Sequence, residues 1–238
     1  MRPPLVLLHG FTQTRRSWRL TVAALDGRRR ALAPDLPGHG HAAARPASFA
    51  ACTGYLRALG GERFALCGYS MGGRIALHAA LALGPRVERI VLVGASPGLA
   101  DPAERAARRA ADAALVERIG AIGVEAFARE WGTQPLFAGQ PERVAAAAHA
   151  DRLRNTAAGL AAALRGLGTG TMEPLWDRLG ELTIPVTLLA GERDEKFRAI
   201  AERMAAALPD ARVVVVPGAG HAAQLEDPAA VAAAIEGL

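Results

Sequence analysis

The sequence predicts an α/β fold with a mostly parallel central sheet and helices on both faces. Short apolar runs recur along the chain without polar alternation, which predicts strands buried on both faces. Helical patterns lie between several of these runs, and such alternation is typical of a parallel sheet. The predicted strands are Leu5–Leu8, Phe64–Cys67, Ile90–Val93, Val186–Ala190 and Val213–Val216. The predicted helices are Trp18–Leu25, Phe49–Leu59, Gly72–Ala82, Ile200–Ala207 and Pro228–Ile235.

The strand–helix alternation breaks in the middle of the chain. Between residues 97 and 170, alanine- and arginine-rich helical patterns follow one another without a strand pattern. Glycine and proline turn signals bound this stretch at both ends. We therefore predict a helical cap, residues 97–170, inserted into a core made of residues 1–96 and 171–238. The whole chain of 238 residues is one domain of ordinary size for this architecture.

The composition favours a globular protein. Hydrophobic residues make up 51% of the chain and charged residues 21%, which provides ample apolar surface for a core. Every apolar run is too short for a signal peptide or a membrane span, so we predict a cytoplasmic protein. The net charge of +5 is scattered, without aromatic interleaving, which argues against nucleic-acid binding.

The two cysteines, Cys52 and Cys67, show neither CxxC spacing nor a companion histidine cluster. They are predicted to be buried thiols rather than metal ligands or a disulfide. No metal and no organic cofactor is indicated by the sequence. The oligomeric state is left open.

The clearest catalytic signal is the segment from Phe64 to Arg74. It reads as an apolar strand, then Gly68-Tyr-Ser70-Met-Gly72, then a helix. Glycines two residues before and after a serine permit a tight turn that lifts the hydroxyl out of the sheet. We therefore predict that Ser70 is the reactive hydroxyl on a nucleophile elbow.

His221 is the predicted base for Ser70. A serine hydroxyl reacts poorly unless a base takes its proton. His221 follows the last predicted strand, in a loop at the carboxyl edge of the sheet, where open α/β proteins build their sites. The other histidines are assigned to loop motifs, the surface or packing: His9, His39, His41, His78 and His149.

An acidic residue is needed to orient the imidazole and stabilise its charged form. The loop after the fourth predicted strand contains Glu192, Asp194 and Glu195. Asp194 is the preferred partner, and the two glutamates remain alternatives. The chain order of serine, aspartate and histidine is that of α/β hydrolases rather than of the two common serine-protease folds.

Negative charge that develops during a reaction needs backbone N–H donors. The loop after the first strand, which contains His9-Gly10-Phe11, is where this fold supplies one donor, and the residue after the serine supplies the other. The amides of Phe11 and Met71 are the predicted oxyanion hole.

Several motifs carry a resemblance to known families. LHGF, DLPGHG, GYSMGGR and GAGH together resemble the α/β-hydrolase superfamily over most of the chain. More specific stretches resemble the 2-succinyl-6-hydroxy-2,4-cyclohexadiene-1-carboxylate synthases of menaquinone biosynthesis. These stretches are Gly72 to Arg74, Ser96 to Leu99, Glu104 to Asp112, Trp131 to Phe137, Arg154 to Leu160, and Gly191 to Phe197.

The resemblance implies a lyase rather than a hydrolase. Such a synthase removes pyruvate from an enolpyruvyl-succinyl-cyclohexene-carboxylate, beginning with the abstraction of a ring proton and forming no acyl-enzyme. Histidine and aspartate then make the serine a base, and the oxyanion hole holds an enolate. The triad and the oxyanion hole, which serve acyl transfer in hydrolases, would then serve proton abstraction and elimination.

The implied substrate is a small anion with three carboxylates, which arginines are well suited to bind. The substrate-binding residues that the resemblance implies are Tyr69, Arg74, Arg108, Trp131 and Arg154. The register of the cap leaves Arg105 and Arg109 as alternatives to Arg108. For each cap arginine, a solvated helix face is the competing interpretation.

Two other functions remain open at this point. A carboxylesterase or related hydrolase with a true seryl nucleophile would use the same triad and oxyanion hole. A non-catalytic, ligand-sensing member of the fold would carry a vestigial triad, but all three triad residues are present in this chain.

Overall fold

A six-stranded parallel sheet forms the centre of the protein in the computed structural model, which describes residues 3–27 and 29–237. The strands are β1 (Leu5–Leu8), β2 (Ala31–Leu32), β3 (Phe64–Tyr69), β4 (Val87–Val93), β5 (Val186–Gly191) and β6 (Ala211–Val216). They lie in the order β2-β1-β3-β4-β5-β6. The predicted parallel α/β sheet is confirmed. The terminal ends of the two predicted core segments, residues 1, 2 and 238, lie outside the described residues.

Five helices in the described part of the chain overlap those predicted, while α8 was not predicted and no bounds were predicted in the cap. The helices are α1 (Arg19–Ala24), α2 (Phe49–Leu59), α3 (Met71–Leu83), α4 (Pro102–Gly132), α5 (Glu142–Arg152), α6 (Ala157–Leu167), α7 (Glu195–Ala207), α8 (Ala223–Glu226) and α9 (Pro228–Glu236). Short 3-10 helices cover Arg15–Trp18, Gly40–Ala42, Gly84–Arg86, Pro135–Phe137 and Trp176–Glu181. Helix α7 begins five residues before the predicted Ile200 because Asp194 caps its N-terminus.

The sheet is covered on both sides because successive side chains of a strand point to opposite faces. In β1, Val6 and Leu8 join a core cluster with residues of α2, α3 and α7. Leu5 and Leu7 join a second cluster with residues of α1 and α9. Strand β1 is therefore packed on both faces, as its lack of polar alternation predicts.

Two details of the strand prediction are wrong. Strand β2 was not predicted, since Ala31–Leu32 is only two residues long and half-buried. Strand β6 is not buried on both faces, because it is the edge of the sheet, and Val213 and Val215 are 36% and 43% exposed. An apolar run alone does not distinguish an edge strand from a central one.

The segment between β4 and β5 contains α4, α5 and α6. Helix α4 is kinked at Gly123, whose φ of 75° is outside the helical range. Residues of α4 and α6 share a small apolar cluster that includes Ile119, Phe127 and Leu160. The segment is helical, while the cap boundaries at 97 and 170 remain a prediction.

Among the described residues, no helix is both long enough and apolar enough to cross a membrane. Cys52 and Cys67 are buried and free, and burial raises the pKa of the Cys52 thiol to about 12. Within residues 3–27 and 29–237, no three His, Cys, Asp or Glu side chains are grouped so that they would hold a metal ion.

Candidate active site

Ser70 occupies a strained turn between β3 and α3. Its φ of 49° and ψ of −108° lie in a region that residues with a side chain rarely adopt. A Cβ at Gly68 would come within 2.4 Å of the Gly72 carbonyl oxygen, and a Cβ at Gly72 within 2.1 Å of the Leu8 carbonyl oxygen. The two glycines therefore allow the turn to pack against the end of β1.

His221 and Asp194 form a buried pair. The imidazole Nδ1 lies 2.6 Å from Asp194 Oδ2, and the two residues are 2% and 8% exposed. The other carboxylate oxygen, Oδ1, accepts from the Phe197 amide at 3.4 Å. Helix α7 thus fixes the carboxylate, which in turn orients the imidazole.

The two alternative acids are directed elsewhere. Glu192 accepts a hydrogen bond from the Gly218 amide at 2.8 Å, and Glu195 is exposed on the first turn of α7. The structure brings Asp194, but neither glutamate, to the histidine. The catalytic role of Asp194 itself stays a prediction.

Ser70 and His221 line the same cavity. Nε2 of the imidazole is buried, and no group in the described residues bonds to it, so Ser70 Oγ and Nε2 are not hydrogen-bonded. Catalytic hydrogen bonds are often long until substrate binds. The arrangement leaves Nε2 available to a partner in the cavity.

Phe11 and Met71, which carry the predicted oxyanion-hole amides, also line this cavity. Met71 is the first residue of α3, and amides in the first helical turn have no acceptor within their own helix. A second donor beside it would complete a site for a developing negative charge.

Two neutral histidines hold the loop that carries Phe11. His9 Nε2 accepts from the Leu36 amide at 2.9 Å, and His39 Nε2 accepts from the Thr12 amide at 3.2 Å. Burial lowers the pKa of both imidazoles, that of His39 to about 3. Both rings are therefore uncharged near neutral pH, as accepting at Nε2 requires.

The cavity has a volume of about 780 Å³ and contains charged groups of both signs. Four cationic side chains and three carboxylates contribute to its wall. They are Arg74, Arg108, Lys196, Arg203, Asp101, Glu104 and Asp112. A small polycarboxylate fits both the volume and the surplus of cations.

Arg74 is the cation nearest to Ser70 in sequence, one helical turn along α3. Its Nη2 donates to the Leu167 carbonyl at 2.9 Å, while its Nε is buried and has no partner in the described residues. Burial and the nearby Arg108 lower the pKa of the guanidinium to about 10, so it stays charged at neutral pH. Arg108 Nε lies 2.8 Å from Asp112 Oδ1, and the Arg108 side chain is about half exposed.

Trp131 lines the cavity and packs edge-on against Phe11, with ring centroids 5.2 Å apart. Its indole Nε1 is buried, and no described residue accepts from it. Trp131 therefore contributes an aromatic side chain to the cavity wall.

Two predicted binding residues do not reach the cavity wall. Tyr69 is 3% exposed and packs in the core, with its ring 5.3 Å from that of His221. Arg154 lies on the surface after α5, half exposed, with its Nε 3.9 Å from Asp151. The alternatives Arg105 and Arg109 do not line the wall either, and each donates to a backbone carbonyl.

Sequence reasoning missed two cations that do reach the wall. Lys196 and Arg203 are seven residues apart on α7, and that spacing puts them on one helix face. The Arg203 guanidinium stacks 3.8 Å above the Trp176 ring. Lys196 lies in the stretch from Gly191 to Phe197 that carries the family resemblance, but neither that stretch nor the i, i+7 spacing says which way the helix face points.

A model of the α/β-hydrolase family matches residues 5–234 of this chain. The chain belongs to the α/β-hydrolase family. Within that family, it is 38% identical over 234 residues to the 2-succinyl-6-hydroxy-2,4-cyclohexadiene-1-carboxylate synthase of Salmonella schwarzengrund, covering 96% of this chain and 90% of the relative. The resemblance found in the sequence motifs is confirmed.

Solved structures of a MenH protein and of an esterase superpose on nearly the whole chain. MenH from S. aureus superposes with a TM-score of 0.93 at 32% identity, covering 99% of this chain and 92% of that chain. A thermophilic esterase from Thermogutta terrifontis superposes with a TM-score of 0.82 at 28% identity, covering 100% of this chain and 89% of that chain.

Proposed function

We propose that this α/β-hydrolase-family protein is a lyase that converts 2-succinyl-5-enolpyruvyl-6-hydroxy-3-cyclohexene-1-carboxylate into 2-succinyl-6-hydroxy-2,4-cyclohexadiene-1-carboxylate and pyruvate. The observation that carries the proposal is a single cavity that joins Ser70 and His221 to four cationic side chains. The named relatives agree with it. A cytoplasmic location, where small anionic intermediates are made and used, is part of the proposal.

The first step is the removal of the proton from the ring carbon that carries the succinyl group. Ser70 Oγ takes this proton while His221 Nε2 takes the serine proton, so the net gain of charge is on the imidazole. Asp194, 2.6 Å from Nδ1, stabilises the imidazolium. The electron pair of the broken C–H bond moves to the succinyl carbonyl oxygen, giving an enolate that the amides of Phe11 and Met71 bind.

The second step is elimination. The enolate electron pair returns to the ring, the ring double bond shifts, and the C–O bond to the enolpyruvyl group breaks. The imidazolium supplies a proton to the departing enolpyruvate, which becomes pyruvate. Two ring double bonds result, as the product name requires, and His221 is neutral again.

Purified protein offered the enolpyruvyl substrate and, separately, p-nitrophenyl acetate tests the proposal. We expect pyruvate release with a kcat/KM on the order of 10⁴ M⁻¹s⁻¹ or more, the range of working enzymes. Ester hydrolysis should be slower by orders of magnitude. An ester preference, with an initial burst of p-nitrophenol, would favour the esterase alternative that the Thermogutta structure represents.

Lys196 and Arg203 are proposed to bind a substrate carboxylate at the outer part of the cavity. Exposed ion pairs contribute roughly 0.2–1 kcal/mol, so Lys196→Met or Arg203→Gln should raise KM about two- to fivefold with little change in kcat. Arg198→Gln, on the same helix but outside the cavity wall, is the matched control. Steady-state kinetics at two ionic strengths should show that the effect shrinks in high salt.

If Arg198→Gln raises KM as much as Lys196→Met or Arg203→Gln does, the net charge of α7 explains the effect. The proposed contacts of Lys196 and Arg203 with a substrate carboxylate would then be wrong.

A further inference from the structure

We propose that Asn155, in the turn between α5 and α6, is a positioning residue for the Phe11 amide. Asn155 lies in the stretch from Arg154 to Leu160 that carries the family resemblance, but only its neighbour Arg154 was predicted to bind substrate. The inference rests on the proposed function, because Phe11 matters only if its N–H binds a developing oxyanion.

Asn155 is 4% exposed and uses both ends of its amide. Nδ2 donates to the Thr12 carbonyl at 2.7 Å and to the Arg152 carbonyl at 3.1 Å. Oδ1 accepts from the Gly40 amide at 3.0 Å. Because two acceptors face one end and a donor faces the other, the contacts fix the orientation of the side-chain amide.

A chain of peptide groups connects Asn155 to Phe11. The Thr12 carbonyl that Asn155 binds belongs to the same peptide group as the Gln13 N–H. That N–H donates to the Gly10 carbonyl at 3.2 Å, and the Gly10 carbonyl belongs to the same peptide group as the Phe11 N–H. A trans peptide points its N–H away from its carbonyl, so the dipoles run head to tail and end at Phe11.

This alignment has two effects on the predicted oxyanion donor. Together with His9 Nδ1, which donates to the same Gly10 carbonyl at 2.9 Å, it fixes the direction of the Phe11 N–H. Hydrogen-bonded chains also polarise their members, which strengthens the last donor. Asn155 acts at the far end of the chain, two peptide groups away.

The loop would not hold this shape unaided. Thr12 is β-branched and has a φ of 67°, an unfavourable conformation for such a residue. Its N–H is held by His39 and its carbonyl by Asn155. Strained backbone persists where surrounding groups fix it, so losing one of the two contacts should let the loop relax.

A separate contact attaches the same cap segment to the core. Asp151 accepts from the Thr14 amide at 2.8 Å, beyond the peptide chain that ends at Phe11. Loss of the Asn155 contact should therefore change the loop without detaching α5.

Asn155→Asp tests the proposal, since it keeps the acceptor for Gly40 but loses the donor to Thr12. We expect kcat for the tricarboxylate to fall about 10- to 100-fold, because a misplacement of about 1 Å can cost 10²-fold. KM should change by less than about threefold, because the Phe11 N–H is expected to bind the oxyanion only in the transition state. Thr156→Ala is the matched control, since it removes the N-cap of α6 next door and leaves the loop intact.

Selective ¹⁵N labelling of phenylalanine, of which the chain has six, gives a readout independent of activity. The Phe11 amide resonance should shift in Asn155→Asp and stay in place in Thr156→Ala. Asn155→Ser, which also loses the reach to Thr12, replaces the aspartate variant if that one does not fold.

An unmoved Phe11 resonance overturns the proposal, as does an equal loss of kcat in Thr156→Ala. If the wild-type protein releases no pyruvate but the Phe11 resonance still shifts, the proposed function fails while the positioning role stands.

Discussion

Replacing Ser70 with alanine is expected to lower kcat for pyruvate release by a factor on the order of 10³, within the range that a positioned general base supplies. Ser70 Oγ is the group proposed to touch the ring proton, and His221 alone would have to reach it through solvent. KM should change little, because the cationic side chains that bind the carboxylates are untouched.

Two further measurements distinguish a role of Ser70 as a base from a role as a nucleophile. Intact-protein mass measured during turnover of the wild type should show no covalent adduct with the tricarboxylate. Thermal unfolding with and without product should show that Ser70→Ala still folds and still binds. Retention of more than about a tenth of wild-type kcat would contradict the role of Ser70, given the size of base contributions.

The placement of Ser70, Asp194 and His221 was predictable because its signals are local or topological, while the catalytic roles of these residues remain predictions. The strand, the tight turn and the helix around Ser70 are contiguous, and the glycine requirement is visible in the sequence. Asp194 and His221 are far apart in sequence, but each follows a strand of a parallel sheet. The carboxyl ends of such strands meet at one edge, so the two loops had to be neighbours.

The cap residues could not be assigned in the same way. Arg154 is a surface residue and Asn155 beside it is buried, a difference that depends on how the turn after α5 packs against the core. Alanine-rich helices carry weak apolar patterns, so the sequence does not say which face is inward. Lys196 and Arg203 were missed for another reason, since their spacing places them on one face of α7 but does not say that this face borders the cavity.

Tyr69 illustrates a different limit. It precedes Ser70 directly, and the family resemblance implied that it binds substrate, a role that stays a prediction. At the end of β3, however, its ring is turned into the core against His221, while the strained turn directs Ser70 to the cavity. Adjacent residues at an elbow face different environments.

Arg74→Gln is expected to reduce kcat/KM for the tricarboxylate by about 100-fold, since truncating one partner of a buried, hydrogen-bonded charge pair costs roughly 2–5 kcal/mol. The guanidinium is held by the Leu167 carbonyl on one side, and its buried Nε has no partner in the described residues. A substrate carboxylate would compensate the cost of keeping this charge away from water. The kcat/KM of Arg74→Lys should lie between those of the wild type and Arg74→Gln, because lysine keeps the charge and loses the forked geometry of the guanidinium.

A neutral ester measured on the same variant provides the control. Its hydrolysis should change by less than about threefold, because a neutral ester has no carboxylate for Arg74 to bind. Arg74 also supports the end of α6 through the Leu167 carbonyl, so thermal unfolding must accompany the kinetics. If ester and tricarboxylate turnover fall together, the contact with Leu167 explains the loss and the substrate role of Arg74 is wrong.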